Sequence, residues 1–217
     1  MVFRFIQPAS RPLLSPADCS TPPPQEQAVA RRQLDRDYRR WTRLLVGAVG
    51  LTLAVFGAFV GFGMPFSGVA LTPVDVAIGI VGSLTGVAGV WIIVRLHLSG
   101  RALLKALAWW TAEPYRTGAA RASAAGWFAA RTVNFEPPIF ARIVTSSILG
   151  LFGIFAVSTL ALPTPPGAAN LVPAGVSIGV ILLATSAGQM GGVMHLVSGR
   201  AVADPVWMRI RGAFKRD

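Results

Sequence analysis

By residue type, the positions best suited to holding a cofactor are His97 and His195, the only histidines in the chain. Each is followed within three residues by the same element, Ser99-Gly100-Arg101-Ala102 and Ser198-Gly199-Arg200-Ala201. Two neutral imidazoles at matching places in a repeat would supply both axial ligands of a b-type haem or hold a chlorophyll-type pigment, with nearby glycines leaving room for the macrocycle. Against that chemistry, both stand beside arginines at headgroup depth and lie one residue out of register. The expectation is no cofactor and no metal, with a haem- or pigment-binding protein as the third reading of function.

Catalysis needs converging groups, and the remaining candidates do not converge. Asp75 and His97 are 22 residues apart along one expected helix, about 33 Å at 1.5 Å per residue. Asp75 stands where the second span begins, which suits a carboxylate capping the positive end of a helix. Gln189 is a buried-amide candidate that calls for an interhelical hydrogen bond. The acids Glu113 and Glu136 flank prolines in a loop, and the chain contains no HExxH, CxxC, Gly-rich phosphate loop or GxSxG motif. The chain is expected not to be an enzyme.

The elements that carry these residues are apolar helices. The 217 residues are 53% hydrophobic and 13% charged, about half the charge of an ordinary soluble domain. Four stretches free of Lys, Arg and Glu, at about 44–64, 74–94, 143–162 and 172–194, are each near the 20 residues that cross a hydrocarbon core. Residues 1–20 have no apolar run resembling a signal peptide and contain Pro8, Pro12 and Pro16. Cys19 is the only cysteine, so no disulfide forms within the chain.

Orientation follows from the basic residues. Eight precede the first span, seven lie between the second and third, five follow the fourth, and the short loops near 64–73 and 163–172 hold none. Both termini and the central loop are therefore expected in the cytoplasm, with the protein multi-pass in a plasma (inner) membrane; the Ala-, Gly- and Arg-rich composition resembles that of a high-GC bacterium. The net charge of +11 is accounted for by this pattern. It points to anionic lipids at the cytoplasmic face, and not to nucleic acid. Trp41, Trp109, Trp110, Trp127 and Trp207 are expected to anchor the chain at that interface.

Offset by about 100 residues, the halves resemble each other. Leu71, Pro73, Val76, Ile78 and Gly79 meet Leu171, Pro173, Val176, Ile178 and Gly179, Pro65 meets Pro165, and Arg43 meets Arg142. The fold expected is all-α, with four transmembrane helices as two tandem, parallel two-helix repeats plus amphipathic cytoplasmic helices. The expected divisions are a Pro-rich irregular leader (1–24), a first repeat (25–102), an interfacial segment without its own core (103–141), a second repeat (142–201) and a basic tail (202–217). Leu34, Tyr38, Trp41 and Leu45 make one stripe before the first span; Leu103, Leu107 and Trp110 make another, opposed by Arg101 and Lys105, until Pro114.

Glycine is the informative residue inside the spans. Gly79, Gly82, Gly86 and Gly89 share one face of the second, Gly188 and Gly191 one face of the fourth, and Gly57 and Gly61 belong to the first. Such faces let helix backbones approach closely. The function expected is a non-catalytic membrane subunit that packs through these small-residue faces into a larger complex, in an accessory or assembly role. The alternative is a homo-oligomeric channel or small transporter. In either case the partners are other membrane subunits or further copies of the chain.

Overall fold

A computed structural model describes residues 5–15, 23–63, 72–121, 123–132, 135–163 and 171–206. Cys19, the short loops at 64–71 and 164–170 with Pro65, Leu71 and Pro165, and the tail from Trp207 onward lie outside the described residues.

Proline and acid placement start the helices. Pro24 opens α1 (Pro24–Tyr38), with Glu26 in its first turn. After the break at Arg39 and Arg40, α2 runs over Trp41–Gly63. Thr72 caps α3 (Pro73–Arg116), and short α4 (Ala124–Thr132) follows. The carbonyl of Glu136 accepts from the N–H groups of Ile139 and Phe140 at the head of α5 (Pro137–Ser158). The last helix, α6, covers Leu171–Arg200. Among the described residues the fold is all-helical, and four helices, within Gln25–Gly63, Pro73–Tyr115, Ile139–Ala161 and Leu171–Arg200, are long and apolar enough to cross a membrane.

Two helices overrun the lengths expected from hydropathy. The 44 residues of α3 extend about 66 Å and the 30 of α6 about 45 Å, against about 30 Å of hydrocarbon. The first Ser-Gly-Arg-Ala element does not end α3, because good helix formers follow Gly100, whereas α6 ends within the second element, at Arg200. Pro114 also fails to interrupt: it falls in the last turn of α3, where a missing N–H costs one bond.

The chain divides into two compact units. The bundle unit comprises Trp41–His97 and Val144–Gln189, which hold α2, the first part of α3, most of α5 and the first part of α6. The terminal unit comprises Met1–Arg40, Leu98–Ile143 and Met190–Asp217. Its core includes Ile6, Leu34, Leu103, Leu107, Trp110 and Leu196.

That core departs from the sequence expectation of interfacial helices without one. The central segment is too poor in large apolar residues to fold alone, but the last turns of α3 and α6, helix α1 and residues 5–14 supply the rest. The leader is accordingly ordered where it is described. It forms two tight turns, Pro8–Ser10 and Pro12–Leu14, with Ile6 and Ser10 buried. The first amphipathic stripe divides at the helix break: Leu34 and Tyr38 enter the terminal core, whereas Trp41 and Leu45 are exposed.

Candidate functional site

In the bundle unit, glycines carry the contact between α2 and α3. A Cβ on Gly57 would overlap the backbone of Gly86, and one on Gly89 the backbone of Ala54. Gly82 would meet Val60 at 2.7 Å and the Gly61 nitrogen at 2.9 Å, and Gly61 would meet the Ser83 hydroxyl at 2.5 Å. As residue numbers rise along α2 they fall along α3, so the pair is an antiparallel hairpin. The faces read from the sequence as surfaces for another subunit are thus taken up inside the chain, where a covalent neighbour meets them first. Gly79 is buried as well.

Helices α5 and α6 form the second hairpin with a different chemistry. The Ser146 hydroxyl donates to the Ser186 carbonyl at 3.0 Å, and the Ser186 hydroxyl donates to the Ser146 carbonyl at 2.7 Å. Gly150 faces the Ser186 hydroxyl, Gly153 faces Leu183, and Gly179 faces Val157. Gly188 does not join this contact: its missing side chain leaves room for the imidazole of His97, whose Nδ1 would lie 3.1 Å from a Cβ there. Gly191 has open space, with nothing within 4 Å of a Cβ.

Several ionisable and polar groups of the bundle unit are engaged in holding helices. Asp75 takes part in a reciprocal cap, its Oδ2 accepting from the Thr72 N–H (3.0 Å) and hydroxyl (2.7 Å) while its own N–H donates to the Thr72 hydroxyl (3.2 Å). Arg43 is buried and donates to the carbonyl of Leu96 at 3.2 Å. The Arg95 guanidinium lies 5.3 Å from the ring centroid of Trp91. Gln189 is half-buried and has no hydrogen-bond partner among the described residues. An open, mostly apolar groove of about 440 Å³ runs between α2 and α6, lined by Leu51, Val55, Phe56, Phe59, Ile178 and Leu182, with Thr52 as its polar member.

The terminal unit gathers charge around Glu136. Its carboxylate accepts from Arg39, just past α1, and Arg200 of α6, each at 2.6 Å, and Arg39 is also paired with Asp35 at 2.9 Å. Burial pushes the Glu136 carboxyl up, but the hydrogen bonds and charges of Arg200 and Arg39 outweigh it and hold the group below its ordinary value. Arg142 closes the end of α1: it donates to the Tyr38 carbonyl at 3.1 Å and its guanidinium sits 4.0 Å over the Tyr38 ring. Asp37, fully buried, accepts the Gln7 N–H through Oδ2 at 2.9 Å, while Oδ1 makes no hydrogen bond and faces Arg40 at 3.9 Å. Sequence alone named Glu136 and Arg142 without these partners and did not single out Asp37, although Gln27, Ala30, Leu34, Asp37 and Tyr38 recur at helical spacing and so announce a shared face.

The expected interfacial tryptophans separate into classes. Trp41 is 78% exposed and Trp127 40%. Trp110, however, is a core residue, 4% exposed, with its indole N–H donating to the Leu13 carbonyl at 3.0 Å and its ring edge-on to Trp109. It is buried because α3 continues past the expected end of the span. His97 is half-buried in the bundle unit, while His195 is exposed in the terminal unit. Among the described residues no group of three or more His, Cys, Asp or Glu side chains is placed to hold a metal ion. No protein-family model, curated protein or solved structure matches the chain.

Proposed function

We propose that the protein is a non-catalytic membrane subunit, with an accessory or assembly role in a larger membrane complex. The observation that carries this reading is the commitment of Asp75, Arg43 and the serine pair to the bundle's own architecture. Asp75 caps α3, Arg43 binds the Leu96 carbonyl, and Ser146 and Ser186 clasp α5 to α6. Substrate chemistry and ion coordination both need polar groups left over for the solute.

The glycine faces of α2 and α3 are occupied within the chain, so a partner helix meets a different surface. The groove at Phe56 and Phe59 of α2, bordered by Ile178 and Leu182, offers complementary apolar relief. Both termini and the central loop lie in the cytoplasm of a bacterial inner membrane in this reading. Of the 20 basic residues, 18 belong to the segments of the terminal unit and only Arg43 and Arg95 to the bundle unit. The tandem-repeat reading draws its support from the matched prolines and the Ser-Gly-Arg-Ala elements.

The deciding experiment is native mass measurement of the full chain purified in mild detergent from its own membrane, alongside ion flux after reconstitution alone. The expected result is a stoichiometric hetero-complex, lost in Phe56→Ala with Phe59→Ala, and no flux. A homo-oligomer that conducts ions would establish the channel instead, and a Soret band abolished by His97→Ala or His195→Ala the haem protein.

A further inference from the structure

Exposed aromatic side chains in the terminal unit are not scattered. Among its described residues Tyr38 and Trp110 are buried, and Phe5, Trp109 and Tyr115 are partly covered. Trp127, Phe128, Phe135 and Phe140, by contrast, are 40%, 64%, 77% and 53% exposed. All four fall within residues 127–140, on α4, on the link after it, and in the first turn of α5.

Both flanking helices are seated at these rings. A Cβ on Gly126 would overlap the carbonyl oxygen of Ala203, so α4 is pressed against the chain on one side and presents its rings elsewhere. Ile139, between Phe135 and Phe140 in sequence, is 3% exposed. The same helix then continues as a stretch long and apolar enough to cross a membrane, Ile139–Ala161. Phe135 and Phe140 therefore bracket the point where the chain passes into an apolar span.

Charge decides which partner fits. The segments of the terminal unit carry 18 basic and 8 acidic residues, a net +10, whereas those of the bundle unit carry 2 and 1. Arg101, Lys105 and Arg121 are exposed and have no acidic partner among the described residues. Rings that settle between headgroups and acyl chains, accompanied by cations that meet phosphate, are the two components of interfacial membrane binding. Each basic residue near an anionic surface adds about 1 kcal/mol.

We propose that Trp127, Phe128, Phe135 and Phe140 form an interfacial docking surface for anionic phospholipid, their rings entering the boundary between headgroups and acyl chains. The proposal rests on the membrane-spanning reading of the four helices and is independent of the accessory-subunit reading.

The test is spin labelling of the full chain in a Cys19→Ser background, one label each at Phe128→Cys and Phe135→Cys. The protein is reconstituted in vesicles of equal parts phosphatidylcholine and phosphatidylglycerol. Collision with oxygen, which concentrates in lipid, is compared with collision with a water-soluble nickel complex. Reference labels go at Leu151→Cys, 69% exposed on α5, and Thr117→Cys, on an exposed turn. Both test labels are expected to favour oxygen over nickel, between the two references, and the preference at Phe128→Cys is expected to fall about twofold in phosphatidylcholine alone. Nickel access equal to that at Thr117→Cys overturns the proposal. So does shielding from both reagents, which would mark a protein-covered surface, and an unchanged preference in neutral vesicles overturns the anionic assignment. If Leu151→Cys is itself open to nickel, the membrane reading fails, a result distinct from failure at Phe128 and Phe135 alone.

Discussion

The two hairpins of the bundle unit bring apolar helices together by different means. Between α2 and α3 the closest approach is backbone to backbone, since a Cβ on Gly57 or Gly89 would overlap main-chain atoms of the facing helix. Between α5 and α6 there is more room: a Cβ added to Gly179 would stand 2.9 Å from the Val157 nitrogen and one added to Gly153 3.0 Å from that of Leu183, and two serines bridge the pair. Register differs as well. Gly50 meets Gly89 and Ile92, whereas Gly150, one hundred residues later, meets Ser186, a displacement of roughly one helical turn. Halves that align in sequence at their prolines therefore do not contact in the same register. Lipid tails provide little hydrophobic drive between helices, so each hairpin depends on the fit of its own small residues.

The largest expected effect is at Gly57. Gly57→Ala must push α2 and α3 apart along their whole contact, and we expect a loss of about 3 kcal/mol or more, in the upper range of overpacking costs. Thermal unfolding in detergent should show it, and a change of under 0.5 kcal/mol, roughly the scatter of neutral surface substitutions, would refute backbone packing as the basis of the first hairpin. Ser146→Ala and Ser186→Ala address the second. Each single variant removes one hydroxyl-to-carbonyl bond and should cost about 0.6 to 1.7 kcal/mol, the range of interhelical hydrogen bonds in membrane; no loss in either variant would mean that both hairpins rely on packing alone.

Glu136 provides a contrast from outside the hairpins. Its carboxyl is held below its ordinary value, so its stabilisation is complete above the unfolded value, about pH 4.3, and is lost as pH falls through the lower folded value. The melting temperature should be flat from pH 7 to about pH 5 and then decline. Glu136→Gln should cost about 1 kcal/mol at neutral pH and lessen the acid decline. An identical decline in the variant would assign it to other carboxylates. The smallest effect is expected at Gly191, where a side chain meets nothing within 4 Å. Gly191→Leu should leave the isolated protein unchanged within about 0.5 kcal/mol, and destabilisation would show that the space is not open.

Sequence pattern located the four apolar stretches because continuous hydrophobicity is local and needs no partner to be read. It placed the ends of α3 and α6 too early, since hydropathy registers the bilayer but helix formation ends only where the hydrogen-bond ladder is broken. Asp75 was legible as a cap from its position, and the reciprocal partner Thr72 lies only three residues away. Glu136 was not, because its arginines are 97 and 64 residues distant. The buried role of Trp110 was hidden for the same reason: its hydrogen-bond acceptor, Leu13, belongs to a leader whose prolines suggested no structure.

What the amino-acid sequence determined by itself is the helical class, the four stretches suited to a membrane, and the segregation of cations away from two of the connecting loops. These follow from composition and short-range spacing, which act before any tertiary contact forms. Tertiary structure decided that the glycines of α2 and α3 face each other, that Gly188 accommodates His97, and that the leader, the central segment and the last turn of α6 share one core. A glycine states only that backbones are free to approach. Which backbone does so is settled by register and by residues far away in the chain, and no local pattern contains that information.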